Sequence, residues 1–382
     1  MNKNIHRTLN ISELLSKKSH FLLGPRLTGK TTLIKNSLKH NFQIINLLDS
    51  KTKILLLQNP SALETLINFD KYQGVVIDEI QKIPELLDEV QRLIDEKKIS
   101  FLLTGSSARK LKRAGTNLLG GRARTANLFP FTSHELPNLK LERYLLYGGL
   151  PSVYLSDEPH EELIAYVETY LNEEVEQEAR VRNLGNFSRF LKSAALTNSE
   201  LINFAAVASD SMVSESTIKG YYQILKDTLL GDLLEPWKES KKRKAIVTSK
   251  FYLFDTGVNN AILGRTSIER NSIDFGKMFE HFIYMEIKAA NSYLRKHQSL
   301  CFWRSVNGQE VDFLIANKIA IEVKSKTNAS LRDAHGLLAL KEEKVFKKYV
   351  LVSQDKLIRK EENIEFIYYK DFLKSLWEGE FF

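Results

Sequence analysis

The stretch from His20 to Leu38, HFLLGPRLTGKTTLIKNSL, decides how the rest of the chain is read. It opens on a short apolar run, Phe21-Leu22-Leu23, and crosses a loop bounded by Gly24 and Gly29. It then continues into a helical pattern carrying Leu33, Ile34 and Leu38. Strand, glycine-bounded loop and helix form the context that G-x-x-x-x-G-K-T requires. A chance glycine turn with a surface lysine would need none of it. The residues Gly24, Pro25, Arg26, Leu27, Thr28, Gly29, Lys30, Thr31 and Thr32 are expected to bind ATP, backbone N–H groups and the helix N-terminus cradling its phosphates. Lys30 is placed to reach the β- and γ-phosphates and the Thr31 hydroxyl to ligate Mg²⁺.

Downstream, GVVIDEIQKIP reads as a buried strand ending in Asp78-Glu79. Asp78 suits the acid that holds Mg²⁺ beside a phosphate loop. Glu79 is placed to orient and deprotonate an attacking water, which points to hydrolysis. An acid pair capping the helix of QKIPELLDEVQRLI would explain one acid but not the strand before it. The next apolar run, ISFLLTGSSARK, ends in Thr104, Ser106 and Ser107, hydroxyls that resemble the γ-phosphate sensor of AAA-type ATPases. Such strands predict an α/β fold, a parallel sheet with helices on both faces and its ligand at the strands' C-terminal ends.

The segments GPRLTGKTTL, IDEIQKIPELL, LLTGSSARKL and LLGGRARTANLFPFTSHEL, in this order, resemble a large prokaryotic family of AAA-type ATPases with a C-terminal domain of unknown function. YGGLPSVYL and FYLFDTGVNNAILG extend the resemblance over nearly the whole chain. Leu27 departs from the polar residue expected in that loop position. The resemblance implies an arginine contacting nucleotide from a neighbouring subunit of a homo-oligomer, with Arg122 first and Arg124 second. The plain alternative is a surface arginine ahead of a strand.

Composition sets wide bounds. A chain of 382 residues accommodates two or three domains. The N-terminal residues lack a signal-peptide core, and no run reaches the length of a membrane span. Cys301 is the sole cysteine, which excludes an intrachain disulfide and suggests a reducing, cytoplasmic setting. The net charge of +8 permits a polyanionic partner such as DNA.

Residues 136–249 read as a helical lid followed by a winged helix. Leu163, Ile164, Val167 and Leu171 form one helical stripe, with Glu173, Glu174, Glu176 and Glu178 on a solvated face. From Leu201 a short helix, a turn with Ser214 as cap, and a second helix carrying Ile218, Tyr222, Leu225 and Leu229 suggest helix-turn-helix. A following hairpin wing would carry Lys241, Lys242, Arg243 and Lys244 at its tip. These side chains could contact phosphate, or the module could serve interdomain packing alone.

In residues 250–382, a hairpin centred on Asn317 joins strands Val311–Ile315 and Ile319–Val323. One face is apolar throughout; the other sets Asp312 directly opposite Glu322, a destabilising pair unless compensated. Ahead of it, Glu280 shares a helical face with Ile283 and Ile287. Helix-Glu, strand-Asp and Glu-x-Lys resemble the PD-(D/E)xK nuclease core, though no proline precedes Asp312. That resemblance implies Mg²⁺ held by Asp312 and Glu322 with help from Glu280, and Lys324 stabilising the transition state. The alternative is a salt cluster of Glu310, Asp312, Glu322 and Lys324. With domains at 1–135, 136–249 and 250–382, the chain reads as an Mg²⁺-dependent ATPase coupled to a nuclease-like domain acting on nucleic acid. The other reading is a non-cleaving ATP-driven switch that binds a partner protein or its own protomers.

Overall fold

A computed structural model describes residues 5–38, 40–107, 119–171, 184–240 and 242–382. Glu173, Glu174, Glu176, Glu178 and Lys241 lie outside the described residues, as does the side chain of Leu171. The chain divides into two compact units, the first built on residues 1–130 and the second on 131–173, 181–223 and 231–382.

In the first unit five strands, β1 (Ser19–Leu23), β2 (Phe42–Asn46), β3 (Gly74–Asp78), β4 (Ser100–Gly105) and β5 (Ala123–Asn127), pair in the order β2-β3-β4-β1-β5. All neighbours run parallel. A parallel sheet needs both faces covered, and the sequence supplies apolar residues at successive positions rather than alternating ones. Phe21, Leu23, Val75, Ile77, Phe101 and Leu103 pack into one core with Leu56, Leu63, Leu86, Val90 and Leu93 from the helices Ser50–Gln58, Ala62–Leu66 and Leu86–Lys97. The intervening residues Leu22, Val76 and Leu102 are equally buried. The apolar side chains of the helices Ile11–Lys17 and Lys30–Leu38 are buried as well, Ile11, Leu15, Leu33 and Ile34 among them. The sheet's register brings the C-terminal ends of β1, β3 and β4 level, which places the loops after them side by side.

The second unit starts with helices, among them Leu141–Tyr147, Pro159–Ala165, Leu184–Leu196 and Phe204–Ser211. In the helix Pro159–Ala165 and at the residue after it, Leu163 and Tyr166 are buried. Ser214 caps the helix Glu215–Asp227 through the Thr217 N–H at 3.3 Å. Two antiparallel strands follow, β6 (Gly231–Leu234) and β7 (Lys250–Leu253). The helix Ile273–Tyr293 leads to a mixed six-stranded sheet of β8 (Leu300–Arg304), β9 (Glu310–Ile315), β10 (Ile319–Lys324), β11 (Lys348–Ser353), β12 (Arg359–Glu361) and β13 (Ile364–Tyr368). Its order is β12-β13-β11-β10-β9-β8, with β11 parallel to both its neighbours.

Two expectations change here. The segment between β6 and β7 does not project as a wing. It runs along the open edge of β8, with Trp237 N–H donating to Phe302 at 2.7 Å and Ile246 N–H to Arg304 at 3.0 Å. Unpaired strand edges attract any chain that can complete them, and this one is completed from within. Arg243 consequently reaches the Ala339 carbonyl at 2.9 Å and the Glu342 carboxylate at 3.0 Å, while the Lys242 N–H donates to Glu343 at 3.0 Å. Residues 231–249 and the mixed sheet fall in one compact unit.

The hairpin keeps its register at Ile315–Ile319, Leu314–Ala320 and Phe313–Ile321. The ladder then opens. Asp312 turns its carboxylate to accept the Val323 N–H at 2.9 Å, so it does not stand as Glu322's cross-strand ladder partner. Both faces are also buried, because the hairpin lies inside the sheet with β8 and β11 as its neighbours.

Candidate functional site

The loop after β1 has the backbone its glycines allow. Gly29 has φ of 91° and the non-glycine Leu27 has φ of 61°. Gly24 is excluded from carrying a side chain by contact, since a Cβ there would lie 2.4 Å from the Leu128 carbonyl oxygen. Thr28 is fully buried and its hydroxyl donates to the Pro25 carbonyl at 2.9 Å. Lys30, at the first position of its helix, folds back so that Nζ donates to Gly24 O at 2.6 Å and Pro25 O at 3.0 Å. The loop thereby wraps its own cation, and phosphate oxygens can take over from those two carbonyls as acceptors.

At the end of β3, Asp78 is buried and accepts a short hydrogen bond from the Thr104 hydroxyl on the adjacent strand. The same hydroxyl accepts the Glu79 N–H at 3.1 Å. Glu79 sits in the left-handed region with φ of 66°, a costly conformation for a residue with a side chain and one that clusters at functional sites. Its carboxylate accepts from the Gln81 amide at 2.6 Å, and that amide also lies 3.3 Å from the Ser106 hydroxyl. Asp78, Glu79 and Thr104 thus form one network at the strands' C-terminal ends. A hydroxyl at Thr31 and a carboxylate at Asp78 are hard oxygen donors of the kind Mg²⁺ takes.

Arg122 lies elsewhere. It precedes β5, whose Ala123 pairs with Ser19, so it stands at the N-terminal ends of the strands, roughly 15 Å of strand length from the loop. There Nε donates to both oxygens of Asp95 at 2.8 Å. Arg124 is exposed on the edge strand.

In the second unit, Glu280, Glu310, Asp312, Glu322 and Lys324 come together, with one residue the sequence reading did not include. Lys250, 2% exposed, places Nζ at 2.5 Å from Glu310, 3.1 Å from Glu280 and 3.3 Å from Asp312. Burial opposes its charge, yet Glu280, Asp312 and Glu310 outweigh that and hold its pKa well above the ordinary lysine value. Glu280 also accepts from the Tyr252 hydroxyl at 2.6 Å, and burial lifts its pKa to about 7 against the pull of Lys250. Lys324 pairs with Glu322 at 2.5 Å, leaving the second Glu322 oxygen buried without a partner. Burial and the nearby Asp312 raise Glu322 well above the usual carboxylate range.

A divalent ion does not fit this arrangement. Among the described residues no group of three or more His, Cys, Asp and Glu side chains could hold a metal. The ligand set read from Glu280, Asp312 and Glu322 is corrected accordingly: an ammonium lies between Glu280 and Asp312, and Glu322 turns to Lys324.

Comparison with known proteins bears on the unit that carries the loop after β1. A profile described as AAA domain matches residues 16–137. That match supports ATP binding by this part of the chain. Residues 138–269 match a Domain of unknown function (DUF8612) and residues 275–372 a Domain of unknown function (DUF4143). An uncharacterized protein of Mycobacterium tuberculosis and another of Mycobacterium bovis are each 26% identical over 306 residues, taking in 77% of this chain but only 66% of their own length. An uncharacterized protein of Methanocaldococcus jannaschii is 24% identical over 365 residues, 87% of this chain and 80% of its own. Among solved structures, the DNA clamp loader delta protein of Bacillus subtilis matches 58% of this chain and 88% of its own at 13% identity. Its TM-score of 0.26 is too low to carry meaning for function. Among the described residues no helix is long and apolar enough to cross a membrane.

Around the loop after β1 and the end of β3 the sequence reading missed two residues. Arg7, 8% exposed, donates to the Thr28 carbonyl at 2.7 Å and the Phe129 carbonyl at 2.6 Å, fastening the loop after β1 from the segment ahead of the helix Ile11–Lys17. Its polar, motif-free surroundings gave no signal. Gln81 lies inside the IDEIQKIP segment, but its hold on Glu79 needs the turn Ile80–Lys82 to be known. For Lys250 there was a faint signal: in KFYLF, period-two alternation puts Lys250 and Tyr252 on one face of a buried strand.

Proposed function

We propose that this chain binds Mg²⁺-ATP at the AAA domain, hydrolyses it, and acts as an ATP-driven switch that does not cleave nucleic acid. The observation that carries the hydrolytic reading is the network joining Asp78, Thr104, Glu79 and Gln81 beside the phosphate loop. Lys30 and the loop N–H groups hold the β- and γ-phosphates. Thr31 and Asp78 would hold Mg²⁺, which when bound neutralises charge on the phosphate oxygens. Glu79, fixed by the Thr104 hydroxyl at its backbone and by Gln81 at its carboxylate, orients and deprotonates the attacking water. Gly24, Pro25, Arg26, Leu27, Thr28, Gly29 and Thr32 shape the cradle.

Arg122 cannot reach the loop of its own chain. If it serves catalysis it does so for a neighbouring copy, which would make the assembly a homo-oligomer. Against a DNA-cleaving role stand the Lys250 ammonium among the acids and the engagement of Arg243 by Glu342. Both favour the switch, whose partner is a protein or a second copy.

The test is paired. Lys30→Ala should abolish ATP binding, whereas Glu79→Gln should bind ATP and fail to turn over. Undiminished hydrolysis by Glu79→Gln would overturn the assignment of the base. Supercoiled plasmid left intact with Mg²⁺ or Mn²⁺, with and without ATP, is the outcome expected of a switch. Cleavage that Asp312→Asn removes would replace it with the nuclease.

A further inference from the structure

A pocket of about 460 Å³ in the second unit lies between residues 133–139 and the helix Tyr369–Glu378. Its size falls within the range of about 300–1,000 Å³ usual for small-molecule sites. One helical turn apart, Tyr369, Leu373 and Trp377 form one stripe of that helix, and Lys370, Lys374 and Glu378 form the stripe beside it. The first stripe is buried and walls the pocket; the second is exposed and makes its rim. Leu136, Pro137 and Leu139 line the opposite side.

A single carboxylate fixes both sides from behind. Glu286, buried in the helix Ile273–Tyr293, accepts the Ser133 N–H at 2.7 Å and the Ser133 hydroxyl at 2.6 Å. It also accepts the Trp377 indole N–H at 2.8 Å. His134 stacks on the Trp377 ring with centroids 5.0 Å apart. A pocket held in this way is formed before anything enters it, which lowers the cost of binding. The charge on the rim is not compensated from within. Among the described residues neither Lys370 nor Lys374 has an acid partner, and Glu378 does not pair with Lys374. Lys370 also stands in the first turn of its helix, where the macrodipole disfavours a cation.

We propose that this pocket binds a small organic anion, an apolar or aromatic body carrying one acidic headgroup. The body packs on Leu139, Leu373 and Trp377, and the headgroup accepts from the ammoniums of Lys370 and Lys374. Glu378 repels an anion at the other end of the rim, which sets the direction of the ligand. The site lies in the second unit and rests on neither the ATPase nor the switch reading.

The experiment titrates the full chain with anilinonaphthalene sulfonate, an aromatic body with one anionic group, and reads its fluorescence. The parent should bind one equivalent in the micromolar range. Lys370→Ser/Lys374→Ser should weaken that binding by about tenfold or more, with the urea midpoint unchanged. Lys370→Arg/Lys374→Arg should retain it, and uncharged phenylnaphthylamine should bind the parent and the serine variant alike. Energy transfer from tryptophan to the bound probe should fall in Trp377→Phe. Equal affinity of the parent and the serine variant for the sulfonate overturns the inference, as does transfer undiminished in Trp377→Phe. Lysine-dependent sedimentation with phosphatidylglycerol vesicles, without saturable binding of the probe, would overturn it in favour of a membrane surface.

Discussion

Thr104→Val removes a single hydroxyl at nearly constant volume, and the structure allows its effect to be worked through. The side chain is fully buried. Its hydroxyl donates to the Asp78 carboxylate and accepts the Glu79 N–H at 3.1 Å. A hydrogen bond to a charged group contributes about 1.5–3 kcal/mol and a neutral one about 0.5–1.5 kcal/mol. Valine offers neither, so the first unit should lose roughly 2–4 kcal/mol of stability. Turnover should suffer separately. The hydroxyl fixes the Glu79 backbone in a left-handed conformation that nothing local favours, and the carboxylate is aimed from that backbone. If about 1–2 kcal/mol of the loss is felt in the transition state, kcat falls roughly five- to thirtyfold. ATP affinity should hardly change, because Lys30 and the loop are untouched. Urea unfolding, steady-state hydrolysis and a fluorescent-nucleotide titration on one preparation measure all three. A Thr104→Val protein with the parent's urea midpoint and kcat would refute the network as the basis of catalysis.

Gly24→Ala forces a Cβ to 2.4 Å from the Leu128 carbonyl, so nucleotide binding should weaken by more than tenfold alongside a lower melting temperature. A titration matching the parent's would contradict the close approach. Arg243→Ala should leave DNA affinity and its salt slope unchanged but expose the segment between β6 and β7 to protease, since the guanidinium holds Ala339 and Glu342. A flatter salt slope would return this arginine to a phosphate-binding role. Glu286 is raised by burial to about 7 from the usual 4.5, despite donors from Ser133 and the Trp377 indole. The folded chain therefore keeps a proton that the unfolded chain releases. Stability from this group falls as pH rises between those values. Trp377→Phe deletes one donor to the carboxylate, pushes the pKa further up and should extend the fall to higher pH. Urea midpoints at a series of pH values would show no such extension if the carboxylate does not depend on the indole.

Much of the AAA domain was legible because its signals are consecutive. A loop's dihedral freedom, a lysine at a helix start and an acid closing a buried strand are written within a few neighbouring residues, as in Gly24 to Thr32 and Gly74 to Glu79. The hairpin register followed for the same reason: a short turn between two apolar alternations leaves little choice of pairing. The wing failed because a basic run looks the same whether solvated or docked on Glu342. Arg122 could not be located from its position after a glycine pair, since only the parallel pairing of β5 with β1 shows which end of the sheet it occupies.

By itself the sequence determined the glycine-bounded loop after β1, the acids and hydroxyl at the ends of β3 and β4, the parallel sheet that carries them, and the company of Glu280, Asp312, Glu322 and Lys324. Only the tertiary structure decided what stands among those last acids. Lys250 is distant from them in the chain, and a lysine in a strand has no local preference for a buried acid over water. It enters because three carboxylates buried together must be neutralised, and that demand exists only once β9, the helix Ile273–Tyr293 and β7 have been packed against one another.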